Sequence, residues 1–207
     1  MGVFVPAKPS IAKLVTLPNV PTYVESNLTY SSRDGGTNLR ARYCYLDMDL
    51  SNMPIVVLMH GFSGAASDFA NETLRRWARR GFFAVAFGMR GRDSATGTPD
   101  ASGREILDIL DGLTALRTNF PDRVSHSKAS LVGYSGGCGN MYACISKIPT
   151  AFNSYAGFFG MSAYGTGPGW WGVNAGQRPT IEAVLGAPAT FPEVYAAREH
   201  RSEERRV

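Results

Sequence analysis

Two uninterrupted apolar runs, Ile55-Val56-Val57-Leu58-Met59 and Phe82-Phe83-Ala84-Val85-Ala86-Phe87, constrain the fold of this chain more than any other feature. Successive side chains of a strand point to opposite faces, so a strand with one wet face alternates apolar and polar residues. Neither run alternates. Both therefore read as strands covered on both faces, the pattern of a parallel sheet between layers of helix. Between them, SDFANETLRRWARRG opens with a cap at Ser67 or Asp68, carries good helix formers and stops at Gly81. A second helix fits GREILDILDGLTALRTNF, where Ile106, Leu107, Leu110, Leu113 and Leu116 recur at near-helical spacing. Ala129 to Val132 then gives a short strand, GGCGNMYACISKI a helix and FNSYAGFFG a further strand.

Ahead of the apolar runs, TYVESNLTYSS and TNLRARYCYL flank Arg33-Asp34-Gly35-Gly36. Asp-Gly and Gly-Gly supply the positive φ angles of a tight turn, so these segments predict an antiparallel hairpin. Strand and helix alternate after it, which predicts an α/β fold: a doubly wound, mostly parallel sheet with an N-terminal antiparallel hairpin. In such sheets chemistry gathers at the carboxyl ends of the strands. Residues 1–21, with Pro6, Pro9 and Pro18, read as an extended arm, 22–198 as one α/β domain and 199–207 as a charged tail. The Gly- and Pro-rich residues 160–192, including Gly169-Trp170-Trp171-Gly172, read as an irregular excursion above the sheet.

A chain of 207 residues suits one domain. Its net charge of +4 suggests an anionic partner, but Arg198, Arg201, Arg205 and Arg206 crowd the last ten positions. Without them the case for nucleic acid largely goes. Cys44, Cys138 and Cys144 lack the spacing of zinc ligands and are odd in number, so packed, reduced thiols and no metal are expected. No apolar stretch approaches the roughly 18 to 20 residues that span a bilayer. The N-terminus lacks a signal-peptide core, and Pro6 stands where a myristoylation signal wants Ser or Thr. The expectation is a soluble cytoplasmic protein with no membrane contact.

Gly133-Tyr134-Ser135-Gly136-Gly137 matches G-x-S-x-G, directly after a strand and at the opening of a helix. That is the setting of a nucleophile elbow, where small neighbours let other backbone approach a strained serine. Ser135 is the candidate nucleophile. His60-Gly61-Phe62-Ser63-Gly64 follows the first apolar strand in the same way. Acyl transfer needs donors aimed at a developing oxyanion, and the N–H groups of Phe62 and Gly136 are the candidates. His60 and Gly61 form the supporting turn, with His60 as brace rather than general base.

In this order and setting, HGFSG and GYSGG resemble the α/β-hydrolase superfamily over about residues 22–198. Within it the chain is most similar to the prolyl oligopeptidase and dienelactone hydrolase-like branch. SRDGGTNLRARYCYL resembles that branch's early hairpin, GMRGRDSATG its fourth-strand turn, and IEAVLGAPATFPEVYAAR the segment after its sixth strand. The resemblance implies a serine hydrolase that cleaves a small-molecule ester, a thioester or a peptide through an acyl-serine intermediate, with no cofactor. An acyltransferase on the same fold is the weaker alternative.

A serine hydroxyl needs a base, itself oriented by a carboxylate, and in this superfamily both follow the nucleophile along the chain. Of the three histidines, His60 belongs to the oxyanion turn and His126 precedes the nucleophile strand, at its far end. His200 is the remaining candidate base. It stands in the charged segment REHRSEERRV, with Glu182, Glu193, Glu199, Glu203 and Glu204 as the downstream acids. Relatives continue past the equivalent of YAAR into two more strands that carry acid and base. The expectation is therefore a C-terminally truncated or frame-altered hydrolase that lacks its last strands and is inactive or weak, or a non-catalytic scaffold that binds a ligand or partner.

Four further features have both a functional and a bland reading. Arg75, Arg76, Arg79 and Arg80 suit a solvated helix face better than a phosphate site. Asp93 is either a turn former or a substrate contact. Trp170 and Trp171 either wall a pocket or pack on the sheet edge. Cys138 is explained by helix packing rather than by nucleophilic chemistry.

Overall fold

The computed structural model describes residues 21–69, 71–166 and 169–199. The expected arm, apart from residue 21, and the tail from residue 200, with His200, lie outside the described residues. Nine elements build the sheet and its covering helices in chain order. They are β1 (Tyr23–Ser31), β2 (Asn38–Leu46), β3 (Met53–Met59), α1 (Asn71–Ala78), β4 (Phe83–Phe87), α2 (Glu105–Asn119), β5 (Val124–Tyr134), α3 (Gly136–Lys147) and β6 (Ser154–Phe158). The strands lie in the order β1-β2-β4-β3-β5-β6. β1 pairs with β2, and β2 with β4, antiparallel; β4, β3, β5 and β6 are parallel to one another.

The unbroken apolar runs are covered on both faces, as expected. Ile55, Val57 and Met59 share one core with Phe83, Val85, Phe87 and Leu131, roofed by Ile109, Leu113 and Leu116 of α2 and by Met141, Ala143 and Cys144 of α3. Val56 and Leu58 point the other way, with Ala84, Ala86 and Val132, onto Leu74 and Ala78 of α1. After β3 the chain moves to one side to form β4, then returns to the other side of β3 to form β5. That reversal leaves a crevice at the carboxyl ends of β3 and β5, where such sheets bind their ligands.

The structure corrects three expectations. The helix read from Ser67 or Asp68 starts at Asn71, after a single 3₁₀ turn at Ala66–Asp68. Asp68 turns back to accept the Ala65 N–H at 2.8 Å and does not cap α1. The strand read as Ala129 to Val132 spans Val124–Tyr134, with a register shift between the pairs Met53–Val124 and Ile55–Ala129. The polar residues of that irregularity hide the strand's first half from any apolar pattern, and His126 lies within it rather than ahead of it.

Residues 160–192 are the third correction. They fold into α4 (Trp170–Val173) and α5 (Arg178–Leu185), followed by α6 (Pro192–Ala196). Ile181 and Leu185, one turn apart on α5, bury against Met161, Tyr164 and Tyr195 in a separate apolar cluster. Pro179 and Pro192 mark helix starts, since the first turn has no use for their missing N–H. Trp170 and Trp171 pack on this layer, not on the sheet edge.

One buried ion pair ties the loop after β4 to α2. Arg90 and Asp108 have side chains only 5% and 3% exposed, and Nη2 lies 2.6 Å from Oδ1. A second bond from Nε to Oδ2 at 2.7 Å makes the contact bidentate, and Asp34 of the hairpin turn adds a third at 3.1 Å. The Asp108 carboxylate holds the Arg90 pKa above the ordinary arginine value. Removing Asp108 leaves the buried Arg90 guanidinium with only the more exposed Asp34 carboxylate. Asp108→Ala is expected to cost about 3–5 kcal/mol in urea denaturation, whereas Arg90→Met combined with Asp108→Leu costs less than that single change.

Candidate active site

Ser135 sits at the tip of the turn from β5 into α3, exposed, with φ 51° and ψ −116°. Left-handed backbone is rare for a residue bearing a Cβ and is held only where the surroundings enforce it. Three bonds and a ring contact do so here. Ser135 N–H donates to the Phe158 carbonyl at 2.9 Å, and the Ser135 carbonyl accepts the Cys138 N–H at 2.9 Å. The Cys138 thiol donates to the Gly133 carbonyl at 3.0 Å. Tyr134 stacks on Phe158 with ring centroids 5.1 Å apart.

Glycine is required after the serine by contact rather than by φ. A Cβ on Gly136 would lie 2.5 Å from the Phe62 nitrogen. One on Gly137 would lie 2.7 Å from the His60 carbonyl oxygen, and nearer still to that of Met59. The first turn of α3 thus rests directly on the end of β3. Gly61 lies beside Ser135, its own Cβ position 3.6 Å from the Ser135 Cβ and 3.9 Å from Oγ. The two glycine motifs, which begin 73 residues apart in sequence at His60 and Gly133, meet as one site, with Phe62 N and the Gly136 backbone adjacent. The N-terminus of α3, which favours negative charge, faces the same place.

His60 is buried, and its Nδ1 donates to the Gly61 carbonyl at 2.8 Å while Nε2 meets no hydrogen-bond partner among the described residues. Burial lowers its pKa from 6.5, against the Gly61 bond that raises it, so the ring is neutral at pH 7. It braces the turn. His126 cannot serve Ser135: its Nε2 bonds the Pro121 carbonyl at 3.0 Å. It also precedes the strand's end by eight residues, roughly 25 Å at about 3.3 Å per residue. Among the described residues no imidazole bonds Ser135, and His200 lies outside them.

The loop after β4 reaches the turn after β3. Asp93 accepts the Ala66 N–H on Oδ2 at 2.9 Å and the Ser67 hydroxyl on Oδ1 at 3.3 Å, so it is a turn-forming residue that reaches across to a second loop. The Arg92 guanidinium carbon lies 4.2 Å from the centre of the Phe62 ring, and Nη1 meets the Met89 sulfur at 3.0 Å. Burial pulls the Arg92 pKa down from the ordinary arginine value, and it forms no ion pair among the described residues. The sequence carried no sign of this contact, because an arginine in a turn reads as solvated.

The remaining candidates resolve into structural parts. Arg75 binds Glu25 through Nε and Nη2 at 2.6 and 3.1 Å, and Arg76 and Arg79 pair with Glu72. Trp171 donates its indole N–H to Glu182 at 2.6 Å beneath the Arg178 guanidinium. It also lines an apolar cavity of about 550 Å³ with Tyr195, Pro188 and Pro192, and Ser135 is not part of that lining. The three cysteines are free and buried; burial pushes Cys138 up and Cys144 up to about 12. Among the described residues no cluster of His, Cys, Asp and Glu has the make-up of a metal site, and no helix is long and apolar enough to cross a membrane.

No protein-family model and no curated protein sequence matches the chain. Solved structures do match. An acylaminoacyl peptidase from Pyrococcus horikoshii is similar over 90% of this chain and 31% of its own, with a TM-score of 0.74 and 16% identity. An esterase from Pyrococcus furiosus is similar over 87% of this chain and 63% of its own, with a TM-score of 0.57 and 16% identity. An α/β hydrolase from a Penicillium species is similar over 82% and 55%, with a TM-score of 0.59 and 15% identity. The fold is therefore the α/β-hydrolase fold, and the chain spans less than two thirds of each of these proteins.

Two outcomes follow from the geometry. Gly137→Ala, whose Cβ meets backbone, is expected to destabilise by about 1–3 kcal/mol in thermal unfolding. Gly36→Ala, with nothing within 4 Å, is the matched control. His60 has a folded pKa below 6.5, so the unfolded chain binds the extra proton first. Its contribution to stability is complete above about pH 6.5 and is lost as pH falls from there through the folded value. Denaturation midpoints between pH 7 and 5 are expected to fall less steeply in His60→Gln than in the parent.

Proposed function

We propose that the chain carries the nucleophile and oxyanion site of a serine hydrolase acting on an ester, thioester or peptide bond. The observation that carries this reading is the strained, exposed Ser135 held beside Phe62 N by contacts that exclude any side chain at Gly136. Ser135 Oγ attacks the carbonyl carbon and gives up its proton to a base. The carbonyl oxygen takes the negative charge between the N–H groups of Phe62 and Gly136, where preorganised donors are worth most. Collapse expels the alcohol, thiol or amine with a proton and leaves acyl-serine, which water then hydrolyses. The base comes from outside the described residues, where His200 is the one further histidine in the sequence. That the similar structures include an esterase and a peptidase supports the same chemistry.

A second reading, a non-catalytic scaffold, is favoured by the lack of an imidazole on Ser135 among the described residues. A fluorophosphonate probe followed by peptide mapping, together with p-nitrophenyl acetate turnover, separates the two. The hydrolase reading expects label on Ser135, turnover above background, and loss of both in Ser135→Ala. Folded protein that takes no label and turns over no ester supports the scaffold.

A further inference from the structure

We infer that Arg92 and Asp93 are positioning residues that clamp the oxyanion turn, so that the loop after β4 sets where the Phe62 N–H points. This rests on the proposed role of Ser135 and Phe62. Between Gly61 and Asp68 the turn holds itself with little of its own backbone: Gly64 N–H to the Gly61 carbonyl at 3.0 Å and Asp68 N–H to the Ala65 carbonyl at 3.0 Å. Besides its contact with the first turn of α3, it is tied outward by two consecutive residues of another loop. Asp93 takes the Ala66 N–H at 2.9 Å, beyond Phe62, and Arg92 covers the ring of Phe62 itself at 4.2 Å. Phe62 also packs against the apolar cluster that holds Met161, Tyr164, Ile181 and Tyr195. Phe62 is thereby in contact with both a cation and an apolar cluster, and these contacts restrain its backbone.

Two features point to the clamp as a built device. Asp93 and the following Ser94 both hold positive φ, 53° and 61°, a conformation kept where the surroundings over-determine it. The half-buried Arg92 is spent on an aromatic face and a thioether, with no carboxylate paired to it among the described residues. A desolvated cation over an aromatic ring is held there firmly.

Oxyanion donors act only in the transition state, so a loosened clamp slows bond formation at Ser135 without weakening first encounter. The test compares full-length Arg92→Met, Arg92→Lys, Asp93→Asn and the surface control Arg80→Met. Two readouts are taken: the saturation kinetics of Ser135 phosphonylation by an alkyl fluorophosphonate, and hydrogen exchange of the peptide covering residues 60–69. Arg92→Met and Asp93→Asn are expected to lower the limiting rate about ten- to a hundredfold, with the half-saturating concentration within about twofold. Arg92→Lys keeps part of the rate, since an ammonium still sits over the ring. Exchange should rise in residues 60–69 alone. Unchanged exchange there in both Arg92→Met and Asp93→Asn overturns the clamp, whatever the labelling does. Raised exchange in a parent that takes no label upholds the clamp and removes the nucleophile reading instead. If Asp93→Asn exchanges faster throughout the protein, Arg92→Met decides on the same two criteria.

Discussion

The site exists because the end of β3 and the first turn of α3 touch backbone to backbone. With Gly137 seated against the carbonyls of Met59 and His60, and Gly136 against the nitrogen of Phe62, no side chain fits between the two turns. That contact fixes the distance between Ser135 and the N–H groups of Phe62 and Gly136, and it needs β3 and β5 to be neighbours. The sheet order β4-β3-β5 makes them so. The crevice follows from the topology, and the glycines allow the approach that turns it into a site.

The packing on the two faces of the sheet holds this contact in place. Alternate residues of the central strands feed separate cores, one roofed by α2 and α3 and one by α1, so neither strand end can tilt without disturbing a core. The loop after β4 is anchored beneath by the bidentate Arg90–Asp108 pair and reaches above with Arg92 and Asp93. One loop thus links the hairpin, α2 and the turn after β3.

Whatever depends on neighbouring residues was legible in the sequence. The unbroken apolar runs gave the buried parallel strands, Asp34-Gly35-Gly36 gave the hairpin, and the pattern around GYSGG gave the tight strand-to-helix turn at which Ser135 holds positive φ. Contacts between distant loops were not legible. Arg92 on Phe62, Asp93 on Ala66 and Arg90 on Asp108 join segments 18 to 30 residues apart, and no local pattern encodes such a pairing. Composition misled at residues 160–192, where Gly and Pro suggested irregular chain but mark the ends of short helices that share one apolar cluster. The polar run Ser125 to Lys128 likewise concealed the first half of β5, because an irregular register lets polar residues sit in a strand without facing a core.

The central claim is that Ser135 Oγ and the N–H groups of Phe62 and Gly136 converge on one reacting carbonyl. A crystal structure of the protein after phosphonylation tests it directly. The account predicts phosphorus bonded to Ser135 Oγ, with the phosphoryl oxygen at about 2.7–3.1 Å from both nitrogens. A phosphoryl oxygen directed to solvent, or an adduct on another residue with Ser135 unmodified, would contradict it.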